Sequence, residues 1–148
     1  MIILGINAYH ADASAAIFVD GKLIAATEEE RFTRIKHWAG FPAKGVAFCL
    51  KEAAVSMAQV DYFAIGRDPK AKFLKKILYV LSNPGGSAAT IKDRFLNSRK
   101  AASIEAELSA ISGLPAGQFA HKVINVEHHR SHLASAFFAS PFETAACL

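Results

Sequence analysis

The dipeptide Asp20-Gly21, set between two apolar runs, constrains the fold of this chain more than any other feature. A two-residue hairpin turn of type I′ needs positive φ at both central positions, and Asp-Gly accepts it at little steric cost. Residues 14–20, with Ala15, Ala16, Ile17, Phe18 and Val19, therefore read as a strand, and residues 22–27 as its return. Residues 2–7 form a third short apolar run, which fits a buried strand. The chain thus opens with three consecutive antiparallel strands. The first link, residues 8–13, packs Tyr9, His10 and Asp12 into a tight turn.

Beyond residue 40 the period changes. Pro42 suits the start of a helix, where its missing N–H costs nothing. In residues 43–56, Val46, Leu50, Ala53 and Ala54 share one face at helical spacing. Residues 60–66 predict a strand, 70–82 a helix, and Asn83-Pro84-Gly85-Gly86 a break. A longer or broken helix over 87–112 ends at Gly113 and Pro115. Residues 122–126 predict a strand, 127–140 a helix, and 144–148 begin one more apolar run. Three antiparallel strands followed by alternating helices and strands is the order of one RNase H-like (actin-like ATPase) lobe, an α/β fold with a mixed sheet flanked by helices. A doubly wound fold would begin β-α-β, and neither common glycine-rich phosphate loop is present. No linker divides the chain. The expectation is one lobe over 1–148, with 67–113 as a helical, basic insertion within it.

Charge sharpens that insertion. Residues 67–100 hold nine lysines and arginines against Asp68 and Asp93, a local +7 on a chain whose total is +4. Its lysines fall mostly on the polar side of a predicted helix, so a solvated face explains them better than nucleic-acid binding, and aromatics for base stacking are lacking. Cys49 and Cys147 share no short metal or redox spacing and read as reduced core residues, which places the chain in the cytoplasm. The apolar N-terminus is too short for a signal peptide, and no run is long enough to span a bilayer.

Three segments are candidates for chemistry. The first is Glu127-His128-His129-Arg130-Ser131-His132. If a helix begins near His128, His128 and His132 stand one turn apart on one face, the spacing with which a helix supplies two metal ligands. His129 points elsewhere. Neutral imidazole suits iron and zinc, but two ligands do not complete a site. The plain alternative is histidines decorating a surface helix. Second, His10 occupies a strand–strand turn where Gly, Asn or Asp is usual. It is placed to act as a general base or as a donor to an anion, unless Asp12 and Ser14 are merely satisfying turn amides. Third, Arg31, Arg34, Lys36 and His37 follow Glu28-Glu29-Glu30 in what reads as a loop, with Trp38 and Phe41 as anchors. Such cations hold phosphate or carboxylate, or else sit in a solvated loop with internal ion pairs.

Together these segments resemble the carbamoyltransferases of the NodU/CmcH type. The resemblance rests on Tyr9-His10-Ala11-Asp12-Ala13-Ser14-Ala15-Ala16, on residues 29–37, on Gly40-Phe41-Pro42, and on residues 128–137. Ala11, Ala13 and Leu133 depart from the family pattern. The resemblance implies that His10 is a catalytic histidine near the carbamoyl group. It implies that Lys36 helps to hold carbamoyl phosphate or the nucleotide, beside which Arg34 and Arg31 are the further candidate cations of the segment. It further implies that His128 and His132 ligate a divalent metal, Fe²⁺ before Zn²⁺, and that the remaining ligands are aspartates beyond Leu148. Carbamoyl phosphate and ATP would give a carbamoyl adenylate, whose carbamoyl group passes to an acceptor hydroxyl. The chain would then be one lobe of a two-lobed enzyme, inactive alone, and open to self-association or to a C-terminal partner lobe. The rival readings are a noncatalytic metal- or nucleic-acid-binding remnant of this fold and a sugar-kinase-like ATPase. The second leaves the His128–His132 pair unexplained.

Overall fold

The computed structural model describes residues 1–67 and 104–146, which fall into two compact units: Met1–Asp68 with Lys122–Leu148, and Pro69–His121. The first unit contains a five-stranded mixed sheet in the order β3-β2-β1-β4-β5. Its strands are β1 (Ile2–Asn7), β2 (Ser14–Val19), β3 (Lys22–Glu28), β4 (Tyr62–Ile65) and β5 (Val123–Asn125). β1, β2 and β3 are antiparallel neighbours, while β4 runs parallel to β1 and β5 parallel to β4. This is the RNase H-like arrangement that the element order predicts. Asp20 and Gly21 have φ of 49° and 79°, as the type I′ turn requires. Alternation buries Leu4 and Ile6 on β1, Ala15 and Ile17 on β2, and Phe63 and Ile65 on β4. Between Ile17 and Phe18 the β2–β3 register shifts by one residue. That bulge lies on the outer strand, whose Leu23 and Ile24 are exposed.

Helix α2 (Ala43–Glu52) buries Gly45, Val46 and Cys49 and lies against β2 and β3. It is shorter than the 43–56 span predicted, and Ala53 and Ala54 lie outside it. The N–H of Ala54 donates to Lys51 O and that of Val55 to Leu50 O, with Ala54 at φ 53°. This is a Schellman closure with alanine in the left-handed position that glycine usually takes. A one-turn helix, α1 (Glu30–Thr33), occupies part of the segment expected to be loop. A 3₁₀ turn over Met57–Gln59, closed by a Ser56–Gln59 capping box, leads into β4. Lys122 Nζ donates to Ala58 O and Val60 O, tying the start of β5 to this turn. Cys49 is a buried free thiol, and burial raises its pKa.

After β5, Glu127 caps the last described helix, here α4 (His128–Phe138), its carboxylate accepting from Arg130 N. Residues 144–146, where a further strand was expected to begin, are in no strand. In the second unit, helix α3 (Ile104–Ser112) ends at Gly113, which has φ 72°, and a 3₁₀ turn over Ala116–Gln118 follows. Leu108 and Phe119 are buried there. The helix predicted over 70–82, the break at 83–86, most of the 87–112 helix and Cys147 lie outside the described residues. No helix among the described residues is long and apolar enough to cross a membrane.

Candidate functional site

Three chains leave the sheet at one level. Ile6, Ile65 and Asn125 lie in register across β1, β4 and β5, so their continuations emerge side by side at the carboxyl ends of the parallel strands. The first carries His10, the second Arg67, and the third leads into α4 with His128 and His132. In this way residues from both ends of the chain come together in the first unit.

The turn holding His10 is closely specified. Ala8 and Ala13 are buried on either side of it, and Tyr9 and Asp12 adopt left-handed φ of 61° and 65°. Asn7 Nδ2 donates to Asp12 O at 3.2 Å. Ala13 O accepts from Glu29 N at 2.8 Å. His10 therefore projects from a turn fixed at both shoulders. Its ring stacks on that of His128, centroids 5.7 Å apart and planes 23° from parallel. Partial burial, the Arg67 charge and His128 together hold the His10 pKa below its ordinary value.

His128 and His132 face each other as their spacing predicts. Their Nε2 atoms are 3.1 Å apart, with the rings perpendicular. Zinc–imidazole bonds of about 2.0–2.1 Å at bond angles near 90–110° would set two such nitrogens roughly 2.8–3.4 Å apart. The pair fits two adjacent positions on one ion. It also fits a direct hydrogen bond between complementary tautomers. His129 turns away to Glu127, Nδ1 to Oε1 2.8 Å. Among the described residues no group of three His, Cys, Asp or Glu side chains is placed to hold a metal, so any further ligand comes from elsewhere.

The cations of the third segment stand apart. Arg31 lies on α1, Arg34 is its left-handed C-cap at φ 61°, and Lys36 follows in the loop. All three are exposed, and among the described residues no hydrogen bond or ion pair links their side chains to the histidine cluster.

Four residues near the site make contacts that their sequence context does not anticipate. Glu29 is 3% exposed and turns inward, accepting from Lys44 N at 3.2 Å and Gly45 N at 2.7 Å at the start of α2. His37 Nδ1 lies 2.9 Å from Asp12 Oδ1, and this carboxylate raises the His37 pKa. Trp38 lies on Gly40, and its Nε1 is buried without a hydrogen-bond partner among the described residues. Arg67 had been counted only as one charge of the basic arm. Its position just past a parallel strand was the signal available for it. The other three depend on contacts between segments, which spacing does not report.

Comparison with known proteins gives the family of the chain. The carbamoyltransferase N-terminus family matches residues 2–148. An uncharacterized protein of Synechocystis, sll1178, is 38% identical over 156 residues, covering 99% of this chain and 24% of that protein. The nodulation protein NolNO of Sinorhizobium fredii is 31% identical over 148 residues, covering 96% of this chain and 19% of NolNO. The chain thus spans a quarter or less of these relatives. Among solved structures, YeaZ from Pseudomonas aeruginosa aligns at 17% identity and a TM-score of 0.45, covering 91% of this chain and 50% of that one. With the family matched from residue 2 to residue 148, the chain belongs to the carbamoyltransferase family and corresponds to its N-terminal part.

Proposed function

We propose that this chain supplies one lobe of an enzyme that transfers a carbamoyl group to an acceptor hydroxyl, with carbamoyl phosphate and ATP as co-substrates and a carbamoyl adenylate between them. The observation that carries the reading is the convergence of His10, His128 and His132 at the carboxyl ends of the parallel strands. In the transfer step the acceptor oxygen bonds to the carbamoyl carbon, the bond from that carbon to the adenylate oxygen breaks, and AMP leaves. His10 takes the hydroxyl proton, a general-base task for an imidazole held at a fixed point. His128 and His132 would hold Fe²⁺ or Zn²⁺ through their Nε2 atoms. When bound, such an ion offsets negative charge on phosphate oxygens. Lys36, Arg34 and Arg31 would approach the phosphates from the α1 side.

A C-terminal lobe, in the same polypeptide or a separate one, would complete the metal ligands and the acceptor site. Ile124, Leu133, Phe138 and Phe142 are exposed, Phe138 at 81%, and this apolar surface on β5, α4 and the segment after it supports such a partner. The test has two parts. Fe²⁺ and Zn²⁺ binding is measured on a chain extended through its C-terminal lobe, with and without His128→Ala/His132→Ala. Binding abolished by the double substitution is expected, and an extended chain that binds neither ion rejects the metal assignment. Carbamoyl transfer by the same protein is expected to fall about 10²–10⁴-fold in His10→Ala. Unchanged transfer would remove His10 from the chemistry.

A further inference from the structure

Residues 37–40 run alongside the His10 turn and grip it at three points. Ala13 N donates to Trp38 O at 2.9 Å and Tyr9 N to Gly40 O at 3.2 Å. At the outer edge the His37 ring meets the Asp12 carboxylate at 2.9 Å. The two amides flank His10, one at its predecessor and one three residues beyond. Asp12, whose side chain holds His37, also has its carbonyl held by Asn7 Nδ2. A turn with two non-glycine residues at positive φ does not keep its shape through local preference alone, because each left-handed residue is disfavoured unless its surroundings fix it.

We propose that Asp12 and His37 are positioning residues for His10: with the two backbone bonds to Trp38 and Gly40 they form a strap that holds the His10 ring against His128. The importance of this placement for turnover rests on the function proposed above; the strap itself does not. Neither side chain reaches the histidine cluster directly. Asp12 acts through the turn, and His37 acts through Asp12. The His37 backbone is held from the other side, its N–H donating to Glu30 Oε2 at 3.2 Å. The strap therefore joins α1 to the turn. Glycine is needed at position 40, since a Cβ there would lie 2.8 Å from Trp38 Nε1 and 3.0 Å from Cε2.

Asp12→Asn and His37→Asn test the proposal. Both positions are exposed with positive φ, and asparagine tolerates that backbone, so Asp12→Asn removes the charge of the pair and His37→Asn its imidazole, neither with a new steric demand. The histidine rings are followed by NMR in chains labelled at histidine, with a thermal melt confirming that each variant is folded. The expected result in Asp12→Asn is a His37 pKa moved down towards its ordinary value. In both variants the His10 ring resonances shift, the His10–His128 ring cross-peak is lost, and the Tyr9 and Ala13 amides exchange faster. His10 resonances and a His10–His128 cross-peak unchanged in both folded variants would overturn the proposal. None of these readouts needs substrate or metal. Loss of the strap and loss of carbamoyl transfer are thus separate outcomes.

Discussion

Replacing Glu29 by alanine removes the acceptor for two amides at the start of α2, and the cost can be worked from their surroundings. Lys44 is exposed, so its N–H, 3.2 Å from Oε1, finds water when the side chain is cut back. Gly45 is buried, and its N–H, 2.7 Å from Oε2, does not. Losing a hydrogen bond to a carboxylate costs about 1.5–3 kcal/mol. Losing a negative group from a helix N-terminus adds roughly 0.3–1 kcal/mol. Pro42, at the N-cap, makes no side-chain cap to take over. The total of about 2–4 kcal/mol corresponds to a fall in Tm of roughly 5–15 °C for a domain of this length.

Glu29→Gln separates shape from charge. The amide oxygen keeps the bond to Gly45 while its NH₂ faces the Lys44 amide without an acceptor, so an intermediate loss of about 1–2 kcal/mol is expected. Desolvating a carboxylate opposes these gains, and a buried charge replaced by a neutral group is sometimes harmless. The order wild type, Gln, Ala in a thermal melt decides between the two effects. A Glu29→Ala chain that melts within about 2 °C of wild type, a shift expected for less than 1 kcal/mol, would refute the capping role. Gly45 amide exchange, faster in Ala than in Gln, locates the effect at α2.

Two further outcomes follow from the segment beside the site. Gly40→Ala places a methyl within 2.8–3.1 Å of the Trp38 indole, and overpacking of this kind costs about 1–3 kcal/mol. Trp38→Phe in the same chain should recover part of that loss in a thermal melt, because it deletes the contacted Nε1 and Cζ2. A Gly40→Ala chain as stable as its parent would show that the indole moves aside freely. His37 should titrate above its ordinary value because Asp12 accepts its hydrogen bond, with Glu30 adding in the same sense. Its stabilising effect is then complete below the unfolded pKa near 6.5 and is lost as pH rises through the elevated folded value. Titration by NMR checks the sign; a His37 pKa at or below 6.5 contradicts the pair.

How much of this could be read beforehand depended on whether the cause was local. The leading meander was legible because Asp20-Gly21 has a backbone requirement that few dipeptides meet. The facing of His128 and His132 was legible because one helical turn fixes it. The end of α2 was missed because alanine, which signals continuation, occupies the left-handed closing position at Ala54. Glu29 was hidden among three consecutive glutamates. Only the amides of residues 44 and 45, brought in by the turn at Pro42, distinguish it from its neighbours. The Asp12–His37 pair joins segments separated by the whole β2–β3 hairpin, and no spacing rule anticipates it.

The placement of the carboxylates bears on what must complete the site. Asp12 turns to His37, and Glu127 turns to His129 and the Arg130 amide. Among the described residues these two carboxylates beside the cluster are therefore engaged, while His10, His128 and His132 come together and the Arg67 charge acts on His10. Such a set attracts an anion readily, and among the described residues it offers a divalent ion the two facing nitrogens of His128 and His132. On the function proposed here, the carboxylates that finish the coordination arrive with the C-terminal lobe. An ion held by both lobes binds tightly only when they are together, and by linkage it draws them together to the same extent. Metal affinity and association of the lobes then form a single equilibrium. Titration of the partner lobe at rising Fe²⁺ would measure it, and an affinity between lobes indifferent to metal would separate the two.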